Sequence, residues 1–150
     1  MKKACKRIKR STGHILLEPQ VQKIVLPLHI SLAMLPLGLF NRQHADGIAK
    51  VINIVFVDAS GRDQVAHDAA SSAGEVLCSM YKRVGEGKSW NTTKDEKTKL
   101  TAAIIAMDKY VRKITTNRLV IAAMAIDELN AEAKAKGYGF LDKAPVEKTK

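Results

Sequence analysis

The stretch from Lys88 to Lys136 contains neither glycine nor proline, and it constrains the fold more than any other part of the chain. Within it, apolar residues recur at alternating steps of four and three, which places them on one side of an α-helix. The residues in this stripe are Leu100, Ile104, Met107, Val111 and Ile114. The spacing therefore predicts a helical protein whose core includes the stripe.

The same stretch is too long to form one helix inside a compact domain. A helix over Lys94–Lys136 would measure about 65 Å, whereas a domain of 150 residues has a radius of gyration of about 15 Å. The residues Thr115-Thr116-Asn117 can cap a new helix, because their side chains bond readily to backbone amides. Two helices are therefore favoured. One continuous helix is the alternative. It would either project from the body or need a second chain to cover it, as in a homo-oligomer through residues 94–136.

Two expectations follow for the second half of this stretch. If the helix breaks at Thr115–Asn117, Arg118 is freed from the apolar stripe and is expected to reach solvent. The next eight residues, Leu119–Ile126, are apolar on every side of a helix. That pattern is typical of a segment that is buried all round.

The remaining helices are predicted from apolar patterns and capping residues. The run Ile24–Phe40 contains no charged residue and is expected to be a buried core segment, with Pro27 in the first turn of a helix. Peripheral membrane association through residues 24–40 is an alternative, although the run is short for a membrane-spanning helix. Asn41 is expected to cap a helix over Arg42–Val57, although residues 49–57 are β-branched enough to form a buried strand.

A further helix is expected between Gly61 and Val84. A turn at Asp58-Ala59-Ser60-Gly61 precedes it, and Ser60 with Asp63 resembles a capping arrangement. Its inward-facing residues are expected to be Val65, Ala69, Ala73, Val76 and Met80. The fold class predicted from all these patterns is all-α: an irregular bundle of four or five helices over residues 14–140, with a disordered basic N-terminal arm (1–13) and a flexible tail (141–150).

Positive charge is concentrated at the N-terminus. The chain has a formal net charge of +10, and Met1–Arg10 carries six basic residues without an acidic one. Ser11–Trp90 is neutral. Basic arms of this kind commonly bind phosphate or other acidic surfaces. The partner expected from the charge is nucleic acid or an acidic protein.

We predict that the acidic partner is bound by the arm, by three basic residues opposite the Leu100–Ile114 stripe (Lys109, Arg112 and Lys113) and by Arg118, which follows the stripe. The complete set of candidate residues is Lys2, Lys3, Lys6, Arg7, Lys9, Arg10, Lys109, Arg112, Lys113 and Arg118. The alternative function is a protein–protein adaptor or inhibitor that acts through apolar helix faces, with the arm incidental.

No pattern indicates catalysis, a cofactor or a metal site. The histidines and acids at His44, Asp46, His67 and Asp68 match no metal-ligand spacing. Cys5 and Cys78 belong to no CxxC pair, which favours a reducing, cytoplasmic location. The sequence therefore predicts a small, basic, non-enzymatic binding protein.

Overall fold

The computed structural model describes residues 18–137 and places five α-helices in them. The helices are α1 (Glu18–Met34), α2 (Arg42–Ala59), α3 (Gln64–Gly85), α4 (Lys94–Val111) and α5 (Thr116–Ala135). This confirms the prediction of an all-α fold. The residues predicted as a basic arm (1–13) and as a tail (141–150) lie outside the described part of the chain.

Helix α2 is the centre of the bundle, because it packs against each of the other four helices. Helix α4 packs against α1 and α3 as well, so these four helices share one core. Helix α5 differs from them, since α2 is the one described helix that it packs along, and its contact with α4 is made by the Arg118 side chain, which bonds to Tyr110. The α5 helix therefore lies at the side of the bundle.

The stripe predicted on α4 forms a central part of the core. All five of its members are fully buried: Leu100, Ile104, Met107, Val111 and Ile114. They meet buried side chains of the neighbouring helices, including Leu28 of α1, Ile48 of α2 and Leu77 of α3. Residues 49–57 are part of α2, so the helical interpretation of that segment is confirmed and the strand is excluded.

Polar side chains start helices α2 and α4. Asn41 caps α2 as expected, where its side chain accepts from the His44 amide and the His44 ring accepts from the Asn41 amide. Thr93 and Glu96 form a reciprocal capping box at the start of α4. Such pairs satisfy amides that have no partner inside the helix. The Asn41 cap explains why the start of α2 could be predicted from the sequence.

Three local predictions are wrong. Pro27 lies inside α1 rather than in its first turn. Asp63, not Ser60, caps α3, because its carboxylate accepts from the Ala66 amide. Val65 is 74% exposed, since the inward side of α3 starts instead at Ala66 and Ala70.

The run Ile24–Phe40 is only partly buried, contrary to the prediction of a core segment. Val25 and Leu28 face the core of the bundle. Four apolar side chains of the run are exposed: Leu26, Ile30, Leu37 and Leu39. The absence of charge did not distinguish a segment covered on all sides from a helix with one apolar side in solvent. Within residues 18–137, no helix has the length and hydropathy needed to cross a membrane.

Candidate interaction surface on helix α5

Helix α5 begins at a break in the long glycine-free stretch. Helix α4 ends at Val111 with Arg112 as its C-cap, and Thr115 caps the new helix by accepting from the Arg118 amide. The prediction of two helices, with the break next to Thr115–Asn117, is confirmed. The break lets α5 pack on α2 instead of continuing along the axis of α4.

A buried ionic cluster fixes the start of α5 to the end of α2. We call it the Asp58 cluster, and it consists of Asp58, Arg62, Tyr110 and Arg118. The Asp58 side chain is 2% exposed. Its carboxylate accepts from Tyr110 Oη at 2.8 Å, from Arg118 Nε at 3.1 Å and from Arg62 Nη1 at 3.1 Å. A buried carboxylate is tolerated when it is paired and hydrogen-bonded in this way.

The protonation of Tyr110 matches its role as a donor in the Asp58 cluster. Burial, and then the hydrogen bond to the negatively charged Asp58, raise the pKa of Tyr110 to about 12. The pKa of Arg118 is also raised, first by its hydrogen bond to Asp58. At neutral pH Tyr110 is therefore protonated and can donate to Asp58, and Arg118 keeps its positive charge.

Beyond the cluster, α5 exposes most of its apolar side chains. Leu119–Ile126 was predicted to be buried all round, and this prediction is wrong: Ala122 is the one buried residue of α5. Val120, Ile121 and Met124 are 53%, 63% and 59% exposed. The physical reason is that, among the described helices, α2 alone packs along the length of α5, so one side of α5 is covered and its other sides are not.

Acidic residues continue the same side of α5 toward its C-terminus. At about 100° per residue, Val120, Ile121 and Met124 share an arc of about 140° with Asp127, Glu128 and Glu132. We call these six residues the α5 outer face. All three acids are exposed. Within residues 18–137, no hydrogen bond or ion pair joins them to a basic side chain. The face is therefore apolar in its first half and negative in its second.

The basic residues predicted to bind an acidic partner are not gathered into one described surface. Lys2, Lys3, Lys6, Arg7, Lys9 and Arg10 lie outside residues 18–137. Lys109 and Lys113 are exposed near the end of α4. Arg112 instead bonds to Asp108 and to Glu18. Its charge is partly neutralised within the chain.

Arg118 also differs from its prediction. It was expected to be freed into solvent by the helix break, whereas it forms an ion pair with Asp58 and donates a hydrogen bond to the Tyr110 oxygen. The reason is that Asp58 is 60 residues away in the sequence and reaches Arg118 only in the folded protein. Arg118 thus holds α5 on the bundle.

A second polar network joins α1 to the end of α4. His29 Nε2 lies 3.0 Å from Asp108 Oδ2. Arg112 bonds to Asp108 at 2.7 Å and to Glu18 at 3.0 Å. Burial opposes ionisation of Asp108, but the hydrogen bonds from His29 and Arg112 outweigh it, so its pKa lies below the usual value. The network places Glu18 beside Arg112.

The described histidines lie in contacts within the fold. Among residues 18–137, no three histidine, cysteine or acidic side chains are placed to hold a metal ion. His44 caps α2. His67 stacks on Phe56 with 4.3 Å between the ring centres. These contacts are the kind that stabilise a fold.

The α5 outer face was missed because its signal was interpreted as burial. A segment that is apolar on every side is buried only if the fold supplies neighbours on every side. The acids at Asp127, Glu128 and Glu132 follow directly in the sequence. They could have indicated a surface, since unpaired carboxylates are rarely buried.

Helix α5 and its outer face have to be interpreted from their own residues. Comparisons of the chain with protein-family models, curated proteins and solved structures give no match.

Proposed function

We propose that this chain is a non-enzymatic protein-binding module, and that its binding surface is the α5 outer face. The observation that carries the proposal is the exposure of Val120, Ile121 and Met124 on a helix with a single described neighbour. Contiguous exposed apolar side chains bordered by charge are typical of interaction surfaces. This is the adaptor alternative raised by the sequence, with α5 as the apolar helix.

The charge of the α5 outer face favours a particular class of partner. Asp127, Glu128 and Glu132 carry negative charge that no described basic residue neutralises. A partner segment with apolar side chains followed by basic ones would match both halves of the face. Charge complementarity of this kind contributes mainly to specificity and to the rate of association.

The proposal is tested by the affinity of the full chain for a labelled amphipathic peptide made of leucine and lysine, measured by fluorescence anisotropy. Ile121→Asp should weaken binding about tenfold or more, because it places a charge in the apolar half of the face. The matched control is Ile105→Asp, on the exposed side of α4 at 47% exposure. It should change the Kd by no more than about twofold.

Two outcomes would contradict the proposal. One is equal weakening by Ile121→Asp and Ile105→Asp, which would place the peptide elsewhere. The other is equal binding of a peptide in which glutamate replaces every lysine, because the acids of α5 should repel it.

A second candidate function is binding of nucleic acid or an acidic protein surface through the N-terminal arm. The observation that favours it is the set of six basic residues in Met1–Arg10 with no acidic one. Lys109 and Lys113, which are exposed, would add to it. The separate cysteines favour a cytoplasmic location for either function.

A salt series tests the arm. Affinity for generic duplex DNA should fall steeply as salt rises, because binding releases counterions. The slope should decrease when Lys2, Lys3, Lys6 and Arg7 are replaced by alanine. The triple substitution of Lys109, Arg112 and Lys113 should matter less. No binding at low salt, or a response that does not depend on salt, would exclude this candidate.

A further inference from the structure

We propose that residues 1–17 of this chain occupy the α5 outer face, so that the basic arm and the acidic half of α5 mask each other. The inference builds on the proposed function, since it names the segment that the face binds when no other partner is present. It rests on the position at which residues 1–17 join the described chain, on their length and on their charge.

The described chain begins beside the end of α4. Glu18 bonds through its carboxylate to Arg112 at 3.0 Å. Arg112 precedes Thr115, the residue that caps α5, by three positions. The residues next to Glu18 in the sequence therefore join the described chain near the α4–α5 connection, and the apolar half of the α5 outer face is the half nearer to that connection.

The order of side chains in residues 1–17 matches the order along α5. Reading backward from Glu18, an apolar triplet, Ile15-Leu16-Leu17, comes first, and the six basic residues of Met1–Arg10 follow. Reading forward along α5, the apolar residues come first and the acids follow. An arm that runs antiparallel to α5 would set apolar against apolar and basic against acidic.

The length of the segment allows this arrangement. Arg10 and Ile15 can be separated by up to about 17 Å in extended chain. Met124 and Glu132 are about 12 Å apart along the helix axis. With the triplet on Met124, the basic residues can therefore reach all three acids.

The other segment outside the described residues fits the face less well. Residues 138–150 follow the acidic end of α5 and contain Tyr138, Phe140 and Leu141. Their basic residues are nearly balanced by Asp142 and Glu147. They would bring apolar side chains to the acids, and they begin at the end of α5 farthest from Val120.

The arrangement has a consequence for binding. Nucleic acid that takes the basic arm has to separate it from Asp127, Glu128 and Glu132. A protein that takes the α5 outer face has to displace the same arm. Each kind of partner would therefore release the surface that the other one needs.

The test uses the native Cys5 as the attachment site for a spin label in the full chain. Cys78 is exposed and must first be replaced, which Cys78→Ser does conservatively. The label should broaden the NMR signals of Met124, Asp127 and Glu128 selectively. Glu128→Lys should remove most of this broadening. Glu75→Lys, which makes the same change at an exposed position of α3, should leave it unchanged.

Three other results would overturn the inference. Broadening that appears only when spin-labelled chains are mixed with isotope-labelled, spin-free chains would assign the arm to the α5 helix of a second copy. The label could also cause no selective broadening while the leucine–lysine peptide still shifts the α5 signals. The arm would then not occupy the face, and the proposed function would stand. If the α5 signals were neither broadened by the spin label nor shifted by the peptide, the inference about the arm and the proposed function would both be wrong.

Discussion

Helices α4 and α5 are neighbours in the sequence and similar in length, at 18 and 20 residues. They differ in how much of their apolar surface is buried. Helix α4 has a narrow apolar stripe, and the whole stripe is buried. Helix α5 is apolar all round in its first half and buries Ala122 alone. The difference shows that an apolar stripe predicts which side of a helix its neighbours cover. A segment that is apolar on every side does not predict how many neighbours it has.

The two helices also differ in how they are held. Core packing fixes α4, which contacts α1, α2 and α3. Helix α5 is fixed at its start by the Asp58 cluster and along its length by α2. A helix with one neighbour keeps most of its surface for other contacts. This is the physical basis for assigning binding to α5 and stability to α4.

The largest expected effect compares two methionines. Met107 on α4 is fully buried and Met124 on α5 is 59% exposed. Met107→Ala should lower the free energy of unfolding by about 2–5 kcal/mol, because it leaves a cavity in the core. Met124→Ala should change it by no more than about 0.5 kcal/mol. Chemical denaturation measures both, and equal losses would contradict the contrast between the helices.

The next effect concerns the attachment of α5. Arg118→Leu should cost about 3 kcal/mol, because it removes one partner of the buried Asp58. Arg112→Leu is the control and should cost clearly less, since its ion pairs are exposed and screened by solvent. The same denaturation experiment applies. If Arg118→Leu left the free energy of unfolding unchanged, the prediction from the sequence that Arg118 is free in solvent would be favoured instead.

Sedimentation of the Arg118→Leu protein beside the parent adds a second check. The ion pair with Asp58 lies within one chain, so the mass should not change. A changed mass would indicate that α5 takes part in assembly, as the homo-oligomer alternative through residues 94–136 requires.

A smaller effect isolates the hydrogen bond of Tyr110. Tyr110→Phe should cost about 1 kcal/mol at neutral pH, because Asp58 keeps its two arginine partners. The pKa of Tyr110 rises from the usual value of about 10 to about 12 on folding. Its contribution is therefore complete below pH 10 and is lost as the pH rises from 10 to 12.

The pH dependence of unfolding measures that loss. Between pH 10 and pH 12, the parent should lose more stability than Tyr110→Phe, which has no phenol to ionise. Parallel curves for the two proteins would contradict a buried, protonated Tyr110.

Much of the bundle could be predicted from local pattern, and the interaction surface could not. The α4 stripe and the caps at Asn41 and Thr93 depend on residues within a few positions of one another. The pairing of Arg118 with Asp58 does not, because it joins residues 60 positions apart. Nor does the sequence of α5 specify how many helices surround it. Tertiary packing determines both the partner of Arg118 and the number of helices around α5.

The most direct test of the account is the accessibility of Met124 compared with that of Met107. With methyl-labelled methionine, a soluble paramagnetic agent broadens the signals of exposed methyl groups. If residues 1–17 occupy the α5 outer face as we propose, both signals should be protected in the full chain, Met107 by the core and Met124 by the arm. In Leu16→Asp, which charges the apolar triplet, Met107 should stay protected and Met124 should broaden. Equal accessibility of Met124 in the two proteins would contradict the account.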